Sequence, residues 1–439
     1  MTTIDLRAGL AGGATLLVAL WLAGCAVPPA ASPAASPAAS PAVQAPAAPV
    51  AAAPAPPPAA APAAPAAAPA APPPPILPFD EAVLSAATNL LGKAQLADPG
   101  ARYPVVIDPL IDGVTGMQSK ATQDMGRRLA GLIRERYEQR YELQPFNTGT
   151  VAKSPLVLIG TFTGVNAERK TEGTREAFRI CFALADLRTG KLVSKGLAFA
   201  KAEGVDITPT AAFRDAPAWA EDPATLGYIR TCQGTRAGDP IHPLYVDRIL
   251  VASMLAEAMD AYDAGRYKDA LSLYDTVLRT PVGRQLRTYT GLYLTNLKLG
   301  RRNDAARAFG QIVDQGLDAK RLGVKFLFRP GSTAFWNDAR AGAAPYPMWL
   351  SEIASRAGER KACLEVVGHT SATGPEPVNE RLSLLRAEYV KGQIERTSPI
   401  LAGRMIANGR GSRETMVGNG RDDASDALDR RVEFKVVGC

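Results

Sequence analysis

Apolar residues fall into three regimes along the chain, and each predicts a different state of the backbone. Ala8 to Leu22 is an uncharged apolar run, and Ala26 to about Pro75 is almost only Ala, Pro, Val and Ser. Beyond Ile76 the apolar positions recur with the periods of folded elements. Val105-Val106-Ile107 reads as a buried strand, and Gln123 to Tyr141 as a helix whose stripe is Met125, Leu129, Leu132 and Ile133. Leu156 to Thr161 is a second strand. Phe178, Ile180, Phe182 and Leu184 alternate with smaller or polar residues, as in a half-buried strand that turns through Asp186–Gly190 into Leu192 to Ala200. Gly204 to Pro243, rich in Pro, Gly and Asp, reads as a long loop. About Leu250 to Leu317 is all-helical, with Gly265, Ala270 and Tyr274 echoed at an offset of thirty-five by Gly300, Ala305 and Phe309. The last stretch predicts strands at Val324 to Phe328, Cys363 to Gly368, Ile406 to Gly409 and Arg431 to Val437. Helices at Met348 to Arg356 and Asn379 to Glu395 interleave with them.

The expected fold class is therefore multidomain α+β: an α/β domain at 77–245, a two-repeat helical insert at 246–320, and an α+β domain with a mixed sheet at 321–439. Residues 1–24 are a targeting leader, because Arg7 precedes about fifteen apolar residues, too few for the ~20 of a membrane span. Ala23 and Gly24 leave room for a peptidase before Cys25, whose thiol is then a lipidation site; the alternative is a plain secretory leader with an incidental cysteine. The stretch 25–76 holds too little to bury and too much proline for a helix, so it reads as an extended disordered tether.

A formal charge of +7, with acids scattered among the bases, favours an anionic envelope surface only weakly. No basic stripe with interleaved aromatics points to nucleic acid. Besides Cys25 there are four cysteines, an even number that favours disulfides in an exported chain, with Cys181–Cys232 and Cys363–Cys439 the pairings that respect the domain boundaries. Four separate thiols are the alternative. No CxxC or histidine cluster offers a metal site. Asp422, Asp423, Asp426 and Asp429 lack calcium-loop spacing and read as a solvated, capped helix start. His242 and His369 are the only histidines, and neither has a catalytic constellation around it, so neither an enzyme nor a cofactor is expected.

Gly368-His369-Thr370, Asn379, Leu382-Ser383, Arg386-Ala387 and Arg430-Arg431-Val432-Glu433-Phe434 stand in an order that resembles the C-terminal domain of OmpA-type proteins, which grip peptidoglycan. The resemblance implies a ligand in the stem peptide, whose diaminopimelate carries a carboxylate beside an ammonium. It nominates Thr370, Ser371, Asn379, Leu382, Arg386 and Arg431 as binding residues. Arg386 has the planar fork that takes a carboxylate through paired hydrogen bonds. Asn379 lies seven residues earlier, two helical turns away on the same side. One position departs from the family, because Ser371 stands where an ammonium-binding Asp is normal. Glu376 is a nearby acid that could compensate.

Two slighter resemblances complete the expectation. Phe182-Ala183-Leu184-Ala185-Asp186-Leu187-Arg188-Thr189-Gly190 resembles the LpoB/CsgG-type lipoprotein group, which implies a protein partner in the envelope; another small α/β domain is the alternative. The thirty-five-residue offset is similar to the ~34-residue tetratricopeptide (TPR) period. Together these imply a lipoprotein of the outer membrane, anchored by acyl chains such as palmitate and facing the periplasm. It would bind peptidoglycan noncovalently and scaffold an envelope protein. The alternative is a regulator of a peptidoglycan synthase, or a component of a secretion or surface-fibre assembly.

Overall fold

The structure, a computed structural model, describes residues 73–171, 175–329, 331–336, 345–416, 418, 420, 426 and 429–439. The leader, Cys25, the tether as far as residue 72, Asp422 and Asp423 lie outside the described residues, while Ile76, placed at the end of the tether, opens the first strand. The first body runs β1 (Ile76–Leu77), α1 (Phe79–Gly92), β2 (Tyr103–Ile107), β3 (Ile111–Asp112), α2 (Lys120–Arg136), β4 (Tyr141–Gln144), α3 (Thr148–Val151), β5 (Leu156–Val165), β6 (Ala177–Asp186) and β7 (Lys191–Lys201). Its sheet has the order β1-β7-β6-β5-β2-β4, with β3 on β5. The strands β5, β6 and β7 pair antiparallel, and β2 pairs parallel with β4 and β5.

Period-two alternation in β6 sends Ile180, Phe182 and Leu184 into the core beneath α1 and α2. The opposite face was expected to meet solvent. Instead Cys181, Ala183 and Ala185 are buried under Tyr228, Cys232 and Tyr245. The cover comes from the segment read as a loop, which forms α4 (Ala211–Asp215), β8 (Ala218–Ala220), α5 (Pro223–Cys232) and α6 (Pro243–Val246). Asp222 caps α5, accepting from the backbone N–H groups of Ala224 and Thr225, and Pro223 occupies the first turn. The Tyr228 hydroxyl donates to the Gly160 carbonyl at 3.2 Å and holds α5 to β5. Cys181 and Cys232, expected to form a disulfide, meet on this face as free thiols with their sulfurs 2.6 Å apart.

Asp108, just past β2, accepts a 2.6 Å hydrogen bond from the Tyr245 hydroxyl. Burial pushes its carboxyl up to about 7, against the opposing pull of Tyr245 and the Arg287 charge. A carboxyl raised on folding contributes stability that is complete below its unfolded value of about 3.9 and is lost as pH climbs through the folded one. Asp108→Asn keeps an acceptor for Tyr245 and removes the charge. The variant is therefore expected to gain on wild type by about 3 kcal/mol between pH 4 and pH 7, measured by urea unfolding at each pH. A constant difference across that range would contradict this placement of the charge.

Helices α7 (Ile249–Asp263), α8 (Tyr267–Leu278), α9 (Leu286–Lys298) and α10 (Arg302–Asp318) follow. Gly265 and Gly300 take positive φ at equivalent turns, while Ala270 and Ala305 are fully buried beside Tyr274 and Phe309. Tyr274 packs over Gly291, where a Cβ would lie 2.1 Å from the ring. The C-terminal body comprises β9 (Arg321–Val324), α11 (Tyr346–Glu359), β10 (Cys363–Gly368), α12 (Glu376–Thr397), β11 (Met405–Gly409) and β12 (Val432–Val437). Its mixed sheet has the order β11-β10-β12-β9-β8, so β8, far upstream, supplies the edge strand beside β9. Strand β9 ends where the expected strand began. Phe326 leaves the sheet to pack on Tyr346 and Trp349, and Phe328 only bridges to Phe335. Trp349 stacks on Phe309 and donates to the Tyr293 hydroxyl at 2.9 Å, seating the helical region on this body. A Cys363–Cys439 disulfide joins the ends of β10 and the chain. Among the described residues no helix is long and apolar enough to cross a membrane.

Candidate functional site

Glycines at two strand ends allow α12 to lie directly on the sheet. A Cβ at Gly368 would come within 2.0 Å of the Ser383 carbonyl oxygen, and one at Gly409 within 2.6 Å of the Leu384 nitrogen. That close approach buries Asn379, Ser383 and Arg386 on one side of α12 and leaves Leu382 half-buried beside them. The strand ends are then stitched together. Thr370 N–H donates to the Gly411 carbonyl at 2.9 Å, and Gly411 N–H donates to the Ser383 hydroxyl at 3.0 Å.

Arg386 is 5 % exposed. Its Nε donates to the Ser332 carbonyl at 3.2 Å, its Nη2 reaches the Arg329 carbonyl at 3.4 Å, and its plane lies 4.8 Å from the Phe328 ring centre. No carboxylate pairs with it among the described residues. Burial, and then the charge of Arg430, depress its pKa to about 10. A guanidinium buried against neutral acceptors is costly, and an anion brought to it recovers part of that cost. The surroundings of Thr370 point the same way, since its buried hydroxyl has no partner among the described residues. The Ser371 hydroxyl is 2.9 Å from that of Thr373, and Asn379 Nδ2 donates to the Gly374 carbonyl at 3.2 Å. Both side chains thus help shape the loop between β10 and α12.

Three sequence expectations change here. Arg431 does not face α12. Alternation along β12 puts Val432 and Phe434 in the helix-side core, and Arg431 with Glu433 on the other face. There Arg431 Nε donates to Glu433 at 2.7 Å, and Arg321 grips the same carboxylate through two bonds of 2.9 and 3.0 Å. Burial alone would raise Glu433, but His369 and the two guanidiniums outweigh it and hold the carboxyl well below the usual range. His369 is itself lowered, first by burial. The charge of Arg430, rather than that of Arg431, is the one that reaches Arg386.

Glu376, the candidate substitute for the missing acid, is committed elsewhere. It accepts from the Ser412 backbone at 3.2 Å and lies 3.6 Å from Arg413. Asp426 and Asp429 are not a solvated helix start. Both are fully buried and accept backbone N–H bonds from the loop before them, Asp429 from Met416 and Gly418, and Asp426 from Gly420. Phe328 and the Arg329 and Ser332 carbonyls escaped the sequence reading, because a loop more than fifty residues upstream of Arg386 gives no local signal.

The OmpA family model matches residues 327–427. Among solved structures, the chain is similar to the cell wall anchor of the T6SS from Pseudomonas aeruginosa, at 25% identity over 27% of this chain and 81% of that one, with a TM-score of 0.23. It is similar also to the peptidoglycan-associated lipoprotein from Burkholderia pseudomallei, at 23% identity over 26% and 89% with a TM-score of 0.22. A putative MotB like protein from Desulfovibrio vulgaris matches at 20% identity over 32% and 92%, with a TM-score of 0.23. No curated protein matches the chain.

Proposed function

With an OmpA family domain at residues 327–427, we propose that this chain binds peptidoglycan and tethers it noncovalently to the outer membrane. The observation that carries the reading is the buried Arg386 guanidinium, which has carbonyl and aromatic neighbours but no acid among the described residues. A stem-peptide carboxylate, as in diaminopimelate, supplies the missing charge, with Thr370 offering a hydroxyl that has no partner among the described residues. Leu382 and Asn379 frame the same face of α12. At the other end, Cys25 carries the acyl chains, and the Ala/Pro-rich tether gives the folded bodies reach into the periplasm. The α/β body, with its LpoB/CsgG-like phrase, and the TPR-like helices serve a protein partner of the envelope. In that oxidising compartment Cys181 and Cys232 release two protons and two electrons to a disulfide-generating oxidant and become a bond.

Binding here is weaker than in a domain with an acid at position 371, because Ser371 brings no charge to the ligand ammonium. Ser371→Asp is expected to tighten binding to purified sacculi about tenfold, since a charge-assisted hydrogen bond is roughly twice as strong as a neutral one. Co-sedimentation of the full chain with sacculi tests both statements. Retention that rises with Ser371→Asp supports the reading, and a chain that stays in the supernatant overturns it.

A further inference from the structure

A cavity of about 300 Å³ opens where the α/β body, the helical region and the β8–β9 edge meet. Its wall is mainly apolar, with Met117, Phe213, Trp219 and Met259 prominent. Two polar groups in it keep hydrogen-bonding capacity to spare. Arg287 gives one hydrogen bond of 3.0 Å, from Nη2 to the Gly116 carbonyl, and forms no ion pair among the described residues. Tyr274 is 2 % exposed, and its hydroxyl has no hydrogen-bond partner among the described residues. The other charged wall groups are engaged or outside: Asp222 caps α5, Arg321 holds Glu433, and Glu221 is exposed at the rim.

Ligand pockets begin at about this volume, favour seams between bodies, and set a few polar groups in an apolar wall. We propose that this cavity binds a small carboxylate with a compact apolar body. Arg287 and Tyr274 take the acid group, and the aromatic and Met side chains cover the rest. The charge selects the class. A cation would meet Arg287 across an apolar wall, and a neutral apolar molecule would leave the Tyr274 hydroxyl and the remaining Arg287 donors unused. Because β8 pairs with β9, an occupant touches the edge of the C-terminal sheet at Ala218 and Trp219 and the turn after β3 at Thr115 and Met117.

The test uses the purified full chain carrying Cys25→Ser, so that no acyl group competes for an apolar pocket. The probes are 1-naphthaleneacetate and its neutral analogue 2-(1-naphthyl)ethanol, titrated calorimetrically and by tryptophan quenching. The acid is expected to bind saturably and about tenfold more tightly than the alcohol, the difference due to a charge-assisted bond. Arg287→Gln should remove that preference, and Thr290→Leu, which fills the cavity from α9, should weaken both probes. Equal affinity for the two probes, no saturable binding, or affinities untouched by both variants would each overturn the proposal. Sacculus binding by the same Arg287→Gln protein separates failure here from failure of the wall-binding site.

Discussion

Glu433→Gln lowers the stability of the protein by about 3 kcal/mol and its thermal midpoint by several degrees, because the change strands two guanidiniums that the carboxylate neutralises. Glu433 is fully buried, Arg431 is 3 % exposed, and only Arg321 retains access to water to offset its loss. The stranded charge, not the lost bond, is the larger cost. Arg431→Met in the Glu433→Gln background should therefore restore much of the midpoint, a non-additivity that a double-mutant cycle reads directly. The sign of the pH dependence follows from both partners being lowered. The Glu433 contribution is present above the unfolded carboxyl value of about 4.3 and is lost as pH falls below it, and that of His369 is lost below about 6.5. Wild type thus loses more stability on acidification than Glu433→Gln does. A Glu433→Gln midpoint equal to wild type would mean that the cluster carries no net charge pairing.

Arg386→Ala weakens binding of a diaminopimelate-containing muropeptide by roughly ten- to a hundredfold, the range of one charge-assisted hydrogen-bond pair. The folded state should not suffer in proportion. Among the described residues Arg386 has only carbonyl acceptors, so removing it leaves those carbonyls short of a donor but none of the described carboxylates unpaired. Arg386→Lys keeps the charge and loses the fork, and should recover only part of the affinity. Calorimetric titration with thermal unfolding of the same samples distinguishes the cases. A loss of affinity matched by a loss of folded protein would assign Arg386 a structural role instead.

The residues that follow a local period were readable in the sequence, and those set by long-range partners were not. Helix α12 is legible from Asn379 to Ile394 because its buried positions recur at helical spacing. One face of β6 is legible for the corresponding reason. Its other face is not, since the cover is a ten-residue helix containing Gly227, set in a stretch rich in Pro and Gly. The Asp222-Pro223 pair was the available signal, an N-cap followed by proline in the first turn. Three residues of β8 carry no period at all, so no local reading could join Ala218–Ala220 to a strand a hundred residues downstream. Strand β9 was displaced because Val324, Phe326 and Phe328 alternate as a strand would. Their aromatic rings are drawn instead to Trp349, Phe335 and the Arg386 guanidinium. At the site, the candidate arginine was legible by spacing, while its neutral surroundings depend on a loop that spacing does not reach.

The most direct test of the wall-binding account is a crystal of the protein grown with meso-diaminopimelate. The account predicts a ligand carboxylate within hydrogen-bonding distance of the Arg386 guanidinium, replacing or joining the Ser332 and Arg329 carbonyls. A guanidinium that keeps those carbonyls or turns to an internal acid, with no ligand beside it, would contradict it.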